Sequence, residues 1–174
     1  MLQTLSREEQ VVSTVDVLGD GMEQLKEEHE LLKREMMELY GMAKVVGQDE
    51  DVLNWSVSLN YLRGKTIQFV EKMDAHSLWE DQVLFPMVRD YSGQDLEQLM
   101  ALEQEHKLAH GHIMRFLQIL EGASAPVNSE KAKEAAASLL EAYNVLAGHF
   151  RNEEENLFPL AEQMLMDLEQ FFSC

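Results

Sequence analysis

Two short stretches of this 174-residue chain set a histidine and a glutamate four residues apart, His76 with Glu80 and His149 with Glu153. On an α-helix a step of four turns the chain by roughly 40°, so the two side chains of each pair share a face. Imidazole nitrogen and carboxylate oxygen together are donors for a divalent transition metal. Both pairs belong to a longer repeat, His-x-x-x-Glu-acid-x-x-Leu-Phe-Pro, which runs from His76 to Pro86 and again, 73 residues later, from His149 to Pro159. Upstream, Glu28-His29-Glu30-Leu31 and Glu105-His106-Lys107-Leu108 form a second repeat at an offset of 77. The chain therefore reads as two helix pairs. Each carries a His on its first helix and His-x-x-x-Glu on its second.

The pattern of apolar residues aims these groups inward. His76 and Glu80 lie on a stripe with Met73 and Leu84, and His149 and Glu153 on one with Leu146, Leu157 and Leu160. His29 stands between Leu25 and Leu32, and His106 between Leu102 and Ile113. Four imidazoles and two carboxylates thus occupy positions that a helical bundle ordinarily gives to leucine. A buried carboxylate without compensation costs several kcal/mol, a large part of the ~5–15 kcal/mol margin of a domain. Lys65, Lys72, Arg115 and Arg151 do not recur on the inward stripes, so cations are the expected compensation. Six such donors are too many for one tetrahedral zinc and suit two metals bridged by carboxylates.

Four long amphipathic segments can position the donors. The first spans about Asp20–Val46, with Leu25, Leu32, Met36 and Leu39 inward, and Gly47 stops it before a restart near Asp51. The second spans about Asp51–Asp90, with Ile67, Val70, Met73 and Leu84 inward, and ends at Ser92-Gly93. The third spans about Gln94–Glu121, with Leu99, Leu102, Ile113, Leu117 and Leu120 aligned. Gly122–Asn128 is a loop, after which Ser129 caps a fourth helix reaching towards Phe172. Pro86 and Pro159 each remove a backbone hydrogen bond late in their helices and should kink or interrupt them. The expectation is an all-α fold, an antiparallel up-down four-helix bundle over 20–174, with residues 1–19 as a short N-terminal arm or helix.

Composition narrows the function. Fourteen Lys and Arg against 32 Asp and Glu give a net charge of −18, which repels phosphate backbones and anionic lipid; neither nucleic acid nor membrane is an expected partner. No apolar run approaches the ~18 residues of a membrane span, and Met1–Gln10 lacks the basic and apolar regions of a secretory signal, so a cytoplasmic location is expected. The single Cys174 rules out an intrachain disulfide or a cysteine-built cluster. The eleven methionines are read as adaptable core filler. Acid-rich patches such as Glu27-Glu28 are read as solvated faces, Glu154 as solvent-facing unless a bulge turns it inward, and His112 as exposed. Trp79, Phe85, Phe150 and Phe158 are read as packing around the motif. Tyr40, Tyr61 and Tyr143 are potential hydrogen-bond donors near it.

The repeated motif resembles that of the hemerythrin-like family of cation-binding four-helix bundles, over about residues 20–170. The resemblance implies a non-haem di-iron centre, two Fe ions with an oxo or hydroxo bridge, histidines from all four helices and two bridging carboxylates. Carried over residue by residue, it assigns His29, His76, Glu80, His106, His149 and Glu153 as metal ligands, with Zn or Mn as possible substitutes. His110, four residues after His106, matches a His-x-x-x-His pair found in oxygen-carrying members and is included as a fifth histidine ligand. Those members place the last carboxylate five residues after its His, the position of Glu154 here, whereas Glu153 keeps the four-residue step of other members. The implied function is binding of O2 or NO for carriage, storage or sensing, by a monomer or homodimer and with no enzyme activity required. The alternatives are iron handling or iron–sulfur-cluster repair under stress, and a weak di-iron oxidase or peroxidase at the same site.

Overall fold

A computed structural model describes residues 7–93, 97–123 and 125–172, and no strand occurs among them. Helix α1 spans Arg7–Val45 and α2 spans Ser56–Trp79; a π-helical turn over Glu80–Leu84 joins α2 to the short α3, Phe85–Ser92. Helix α4 covers Glu97–Glu121 and α5 covers Ser129–Asn152, and a second π-turn, Glu153–Leu157, leads into α6, Phe158–Phe172. Helix α1 packs on α2, α5 and α6, while α4 packs on α5 and α2, which closes the ring of a four-helix bundle. No helix among the described residues is long and apolar enough to cross a membrane.

The prolines explain the π-turns. Neither Pro86 nor Pro159 can donate a backbone hydrogen bond, and an ordinary helical turn would press each ring against the carbonyl four residues back. The chain widens instead: the Phe85 N–H reaches the Glu80 carbonyl and the Phe158 N–H reaches the Glu153 carbonyl, five residues back in each case. Both helices then continue. The wider turn also brings successive side chains closer in angle than the roughly 100° of an α-helix, so two adjacent acids can face one region.

Apolar packing is divided into two layers. One gathers Leu32, Met36, Leu62, Phe69, Phe116, Leu139 and Leu146, and the other gathers Leu18, Leu25, Leu84, Leu102, Leu157 and Met164. The break falls at the same height on every long helix, and His29, His76, Glu80, His106, His149 and Glu153 lie in it. The core is thus interrupted by one polar layer across the whole bundle.

Several expected boundaries shift. Residues 7–19 form the first turns of α1, which runs unbroken for 39 residues past Gly19 and Gly21; residues 1–6 and Cys174 lie outside the described part. Leu18 is fully buried, so α1 contributes to the core from that residue on. Gly21 is there for close approach, since a Cβ on it would stand 2.1 Å from Cζ2 of Trp79. Gly21→Ala should therefore destabilise the fold by about 1–2 kcal/mol in urea unfolding, because overpacking outweighs the roughly 1 kcal/mol gained in helix propensity. Helix α2 starts at Ser56 and not near Asp51, because the Asn54 side chain accepts from the Ser56 N–H and the Trp55 N–H is tied to the Val127 carbonyl. Its inner stripe runs through Leu62, Thr66, Phe69 and Met73, with Ile67 and Val70 only partly buried. Asn128, and not Ser129, caps α5 by accepting from the Lys131 N–H; the Ser129 hydroxyl accepts from the Trp55 indole.

Candidate metal centre

The six donors converge. His29, His76, Glu80 and Glu153 form one group, and Glu80, His106, His149 and Glu153 form another, with the donor atoms of each group within 4.8 Å of one another. The two glutamates are shared. Both are completely buried, and none of their four carboxylate oxygens has a hydrogen-bond partner. His29 Nε2 lies 3.2 Å from Glu153 Oε2, and His149 Nε2 lies 3.1 Å from Glu153 Oε1. His76 Nε2 and His106 Nε2 each stand 3.4 Å from a different oxygen of Glu80. The Nε2 atoms of His106 and His149 face each other at 2.8 Å. Two unprotonated imidazole nitrogens at that separation repel unless a proton or a cation lies between them.

These spacings fit coordination. Bonds of about 2.1 Å to a common ion place neighbouring donors roughly 3–3.4 Å apart. Orphaned carboxylate oxygens and Nε2 atoms that all aim at one centre are what a cation would satisfy, so the residues fit a pair of metal ions.

The outward nitrogens follow the same twofold logic. His76 Nδ1 is 3.0 Å from Glu28 and His149 Nδ1 is 3.1 Å from Glu105, each glutamate preceding the first-helix histidine of its own half. His29 Nδ1 is 3.2 Å from Glu154, which Lys33 holds from the other side at 2.7 Å. The equivalent partner of His106 is Asp81, one methylene shorter and 3.7 Å away, which leaves His106 Nδ1 buried and unpartnered. A carboxylate at Nδ1 fixes the proton there and turns Nε2 into the lone-pair donor. Glu28, Glu105 and Glu154 thus stand at the outward nitrogens of three candidate ligands, and Asp81 lies near the fourth, placements that spacing alone did not reveal. The signal was an acid before each first-helix His and after each motif Glu. Glu28→Ala and Glu105→Ala should each weaken metal binding by roughly 10–100-fold in competition with a chelator, with the helical content unchanged. Unaltered affinity in both would refute the orienting role.

Burial and charge act in opposition here. Burial, reinforced by the charge of Glu153, raises the Glu80 carboxyl well above the usual range. Burial acts the same way on Glu153, but His149 and His29 overrule it and hold that carboxyl low. Burial, together with the charge of His149, pushes His106 down to about 4. His76 is also lowered by burial, despite Glu28. In His149 the neighbouring carboxylates of Glu153 and Glu105 outweigh burial and raise it. Of the two facing carboxyls, Glu153 therefore holds its charge more readily than Glu80.

Aromatic rings wall the layer. Phe150 and Phe158 lie 4.8 and 4.7 Å from the His29 ring, and Phe85 stacks parallel to His106 at 6.3 Å. Trp79 packs against the apolar layer that holds Leu84 and Leu157. None of the three tyrosines hydrogen-bonds a donor of the polar layer: Tyr61 is exposed, Tyr40 flanks the apolar layer of Leu32 and Phe69, and Tyr143 is buried edge-on against Phe69 with its hydroxyl unpartnered. His112 is half-buried and joins neither group.

His110 also lies outside both groups. It is exposed one turn beyond His106, because four residues along α4 lead up the helix towards the apolar layer and away from the glutamates. It lines a cleft of about 350 Å³ between α2 and α4 that also touches His106. His106 itself is 10% exposed, against 0–2% for His29, His76 and His149. The bundle is therefore open to the layer on the His106 side.

A family model, the hemerythrin HHE cation-binding domain, matches residues 20–170. No curated protein and no solved structure matches the chain.

Proposed function

The chain belongs to the hemerythrin HHE cation-binding family, and from that premise we propose that its polar layer holds two iron ions and binds O2 or NO for carriage, storage or sensing. The observation that carries this is the pair of fully buried glutamates, unpartnered and shared between two His-rich groups. The mixed imidazole and carboxylate set would also accept manganese or zinc, and family membership favours iron. When bound, two irons supply electrons to a diatomic ligand and positions at which it can attach.

The chain's own residues supply the rest. Glu80 and Glu153 would be shared between the ions, with His29 and His76 holding one and His106 and His149 the other. Four protein donors per ion leave room for an exogenous ligand. The carboxylates at Nδ1 hold the rings in register, and Phe85, Phe150 and Phe158 exclude water from the layer. With His110 in the cleft lining, the two ions would have equal protein donor sets, unlike the three-plus-two division that a fifth histidine would give.

The test is anaerobic reduction of the iron-loaded protein followed by oxygen. A visible absorption band that forms with oxygen and disappears under vacuum supports carriage. Iron oxidation without any reversible band overturns carriage and favours an oxidase or peroxidase. One observation speaks for that second reading, since a 350 Å³ cleft is far larger than a diatomic needs.

A further inference from the structure

We propose that the cleft between α2 and α4 is a binding site for a small uncharged molecule of one or two rings that carries a hydrogen-bond donor, and that Asp81 receives that donor. This rests on the di-iron reading only for its consequence, because it would place an organic molecule beside the metal ligand His106. The cleft holds about 350 Å³. A dry apolar cavity of ~150 Å³ accommodates benzene, so this volume suits one to two rings, and it falls within the ~300–1,000 Å³ range of small-molecule sites. Its walls are Val70, Met73, Leu78, Ile113 and Leu146. Asp74, Asp81, His106, Lys107 and His110 are its charged or ionisable lining residues, and the mixture of signs favours an uncharged occupant.

Asp81 is the distinctive group. Its counterpart in the second half, Glu154, is engaged by Lys33 at 2.7 Å and by His29 at 3.2 Å. Asp81 is held by no such clamp. It lines the cleft, is about half exposed, and stands 3.7 Å from the unpartnered Nδ1 of His106. A carboxylate so placed can accept from a ligand hydroxyl on one side and from His106 on the other, joining the cleft to the metal layer through one side chain. The internal repeat makes the asymmetry visible: one half closes this contact with Lys33, and in the other Lys107 acts on Asp81 only from a distance, which leaves the carboxylate lining the cleft.

The experiment is calorimetric titration of the anaerobic ferrous protein with 1-naphthol and with 1-methoxynaphthalene, which lacks the donor. Metal content is measured on the same samples. The expected result is saturable one-to-one binding, with 1-naphthol roughly three- to tenfold tighter, as one hydrogen bond implies. Asp81→Ala should erase that difference while leaving 1-methoxynaphthalene unchanged. Ser77→Trp, which fills the cleft from its half-buried rim, should weaken both by at least about tenfold. No saturable binding to folded, iron-loaded protein, or binding indifferent to both substitutions, overturns the site. A chain that takes up no iron yet binds 1-naphthol with this pattern would sink the di-iron reading and leave the cleft standing.

Discussion

Replacing Glu80 with glutamine should remove both metal ions and, in the metal-free chain, make the fold more stable. Glu80 is fully buried, faces Glu153, and has no hydrogen-bond partner on either oxygen. Removing a shared anionic donor affects both groups at once, so the loss of affinity should exceed the roughly 10–100-fold typical of an orienting residue. Without metal the same side chain is a burden. Burial and Glu153 raise its carboxyl well above the ordinary 4.5, so the folded chain binds a proton that the unfolded chain releases. Stability is then present below about pH 4.5 and is lost as pH rises towards the raised folded value. Glutamine carries no such proton and keeps the volume. Metal-free Glu80→Gln should therefore exceed the metal-free parent by about 1–4 kcal/mol at pH 8, and by less at pH 5. Urea unfolding at the two pH values, with metal analysis alongside, decides it. A variant that retains two ions, or whose advantage grows on acidification, contradicts the bridging role.

Metal itself should be the largest single contributor to stability. Each ion present at 1,000 times its dissociation constant adds about 4 kcal/mol if the unfolded chain does not bind it. For a domain of this length each kcal/mol raises the melting temperature by roughly 2–4 °C, so two ions give a rise on the order of 15–30 °C. The gain should shrink in acid, because the ions displace the proton held by Glu80 and the one favoured on His149, both raised in the metal-free fold. Calorimetry with and without iron(II) or zinc at pH 7.5 and 6 measures both effects. A melting temperature indifferent to metal would mean that the polar layer is satisfied without cations.

Much of this arrangement could be read from the residues because the chain states it twice. Repetition of His-x-x-x-Glu-acid-x-x-Leu-Phe-Pro, set on apolar stripes, identifies the layer and the bundle that surrounds it. What escaped has a physical cause in each case. Glu28 and Glu105 are only about one-third exposed and act through their tips, whereas in sequence an acid beside a histidine on an acidic helix resembles any solvated charge. The π-turns lie in the same motif, but proline signals only that the i−4 bond is lost. Whether the chain then breaks, kinks or widens depends on packing, and here Leu84, Phe85, Leu157 and Phe158 are buried and keep the helices running. Glu154 turned on that outcome: the widened turn brings it to His29, where an uninterrupted helix would have left it in solvent. His110 shows the opposite limit. A four-residue step from His106 shares a face, yet the face also climbs 6 Å along the axis, past the glutamates and into the cleft.

Two cations are expected to lie between Glu80 and Glu153. Diffraction from crystals of iron-loaded protein at the iron absorption edge locates them directly. Two anomalous peaks are predicted, one beside His29 and His76 and the other beside His106 and His149, with both glutamates touching both peaks and His110 touching neither. A single peak, no peak within the layer, or His110 bound in place of one of those four histidines would contradict the account.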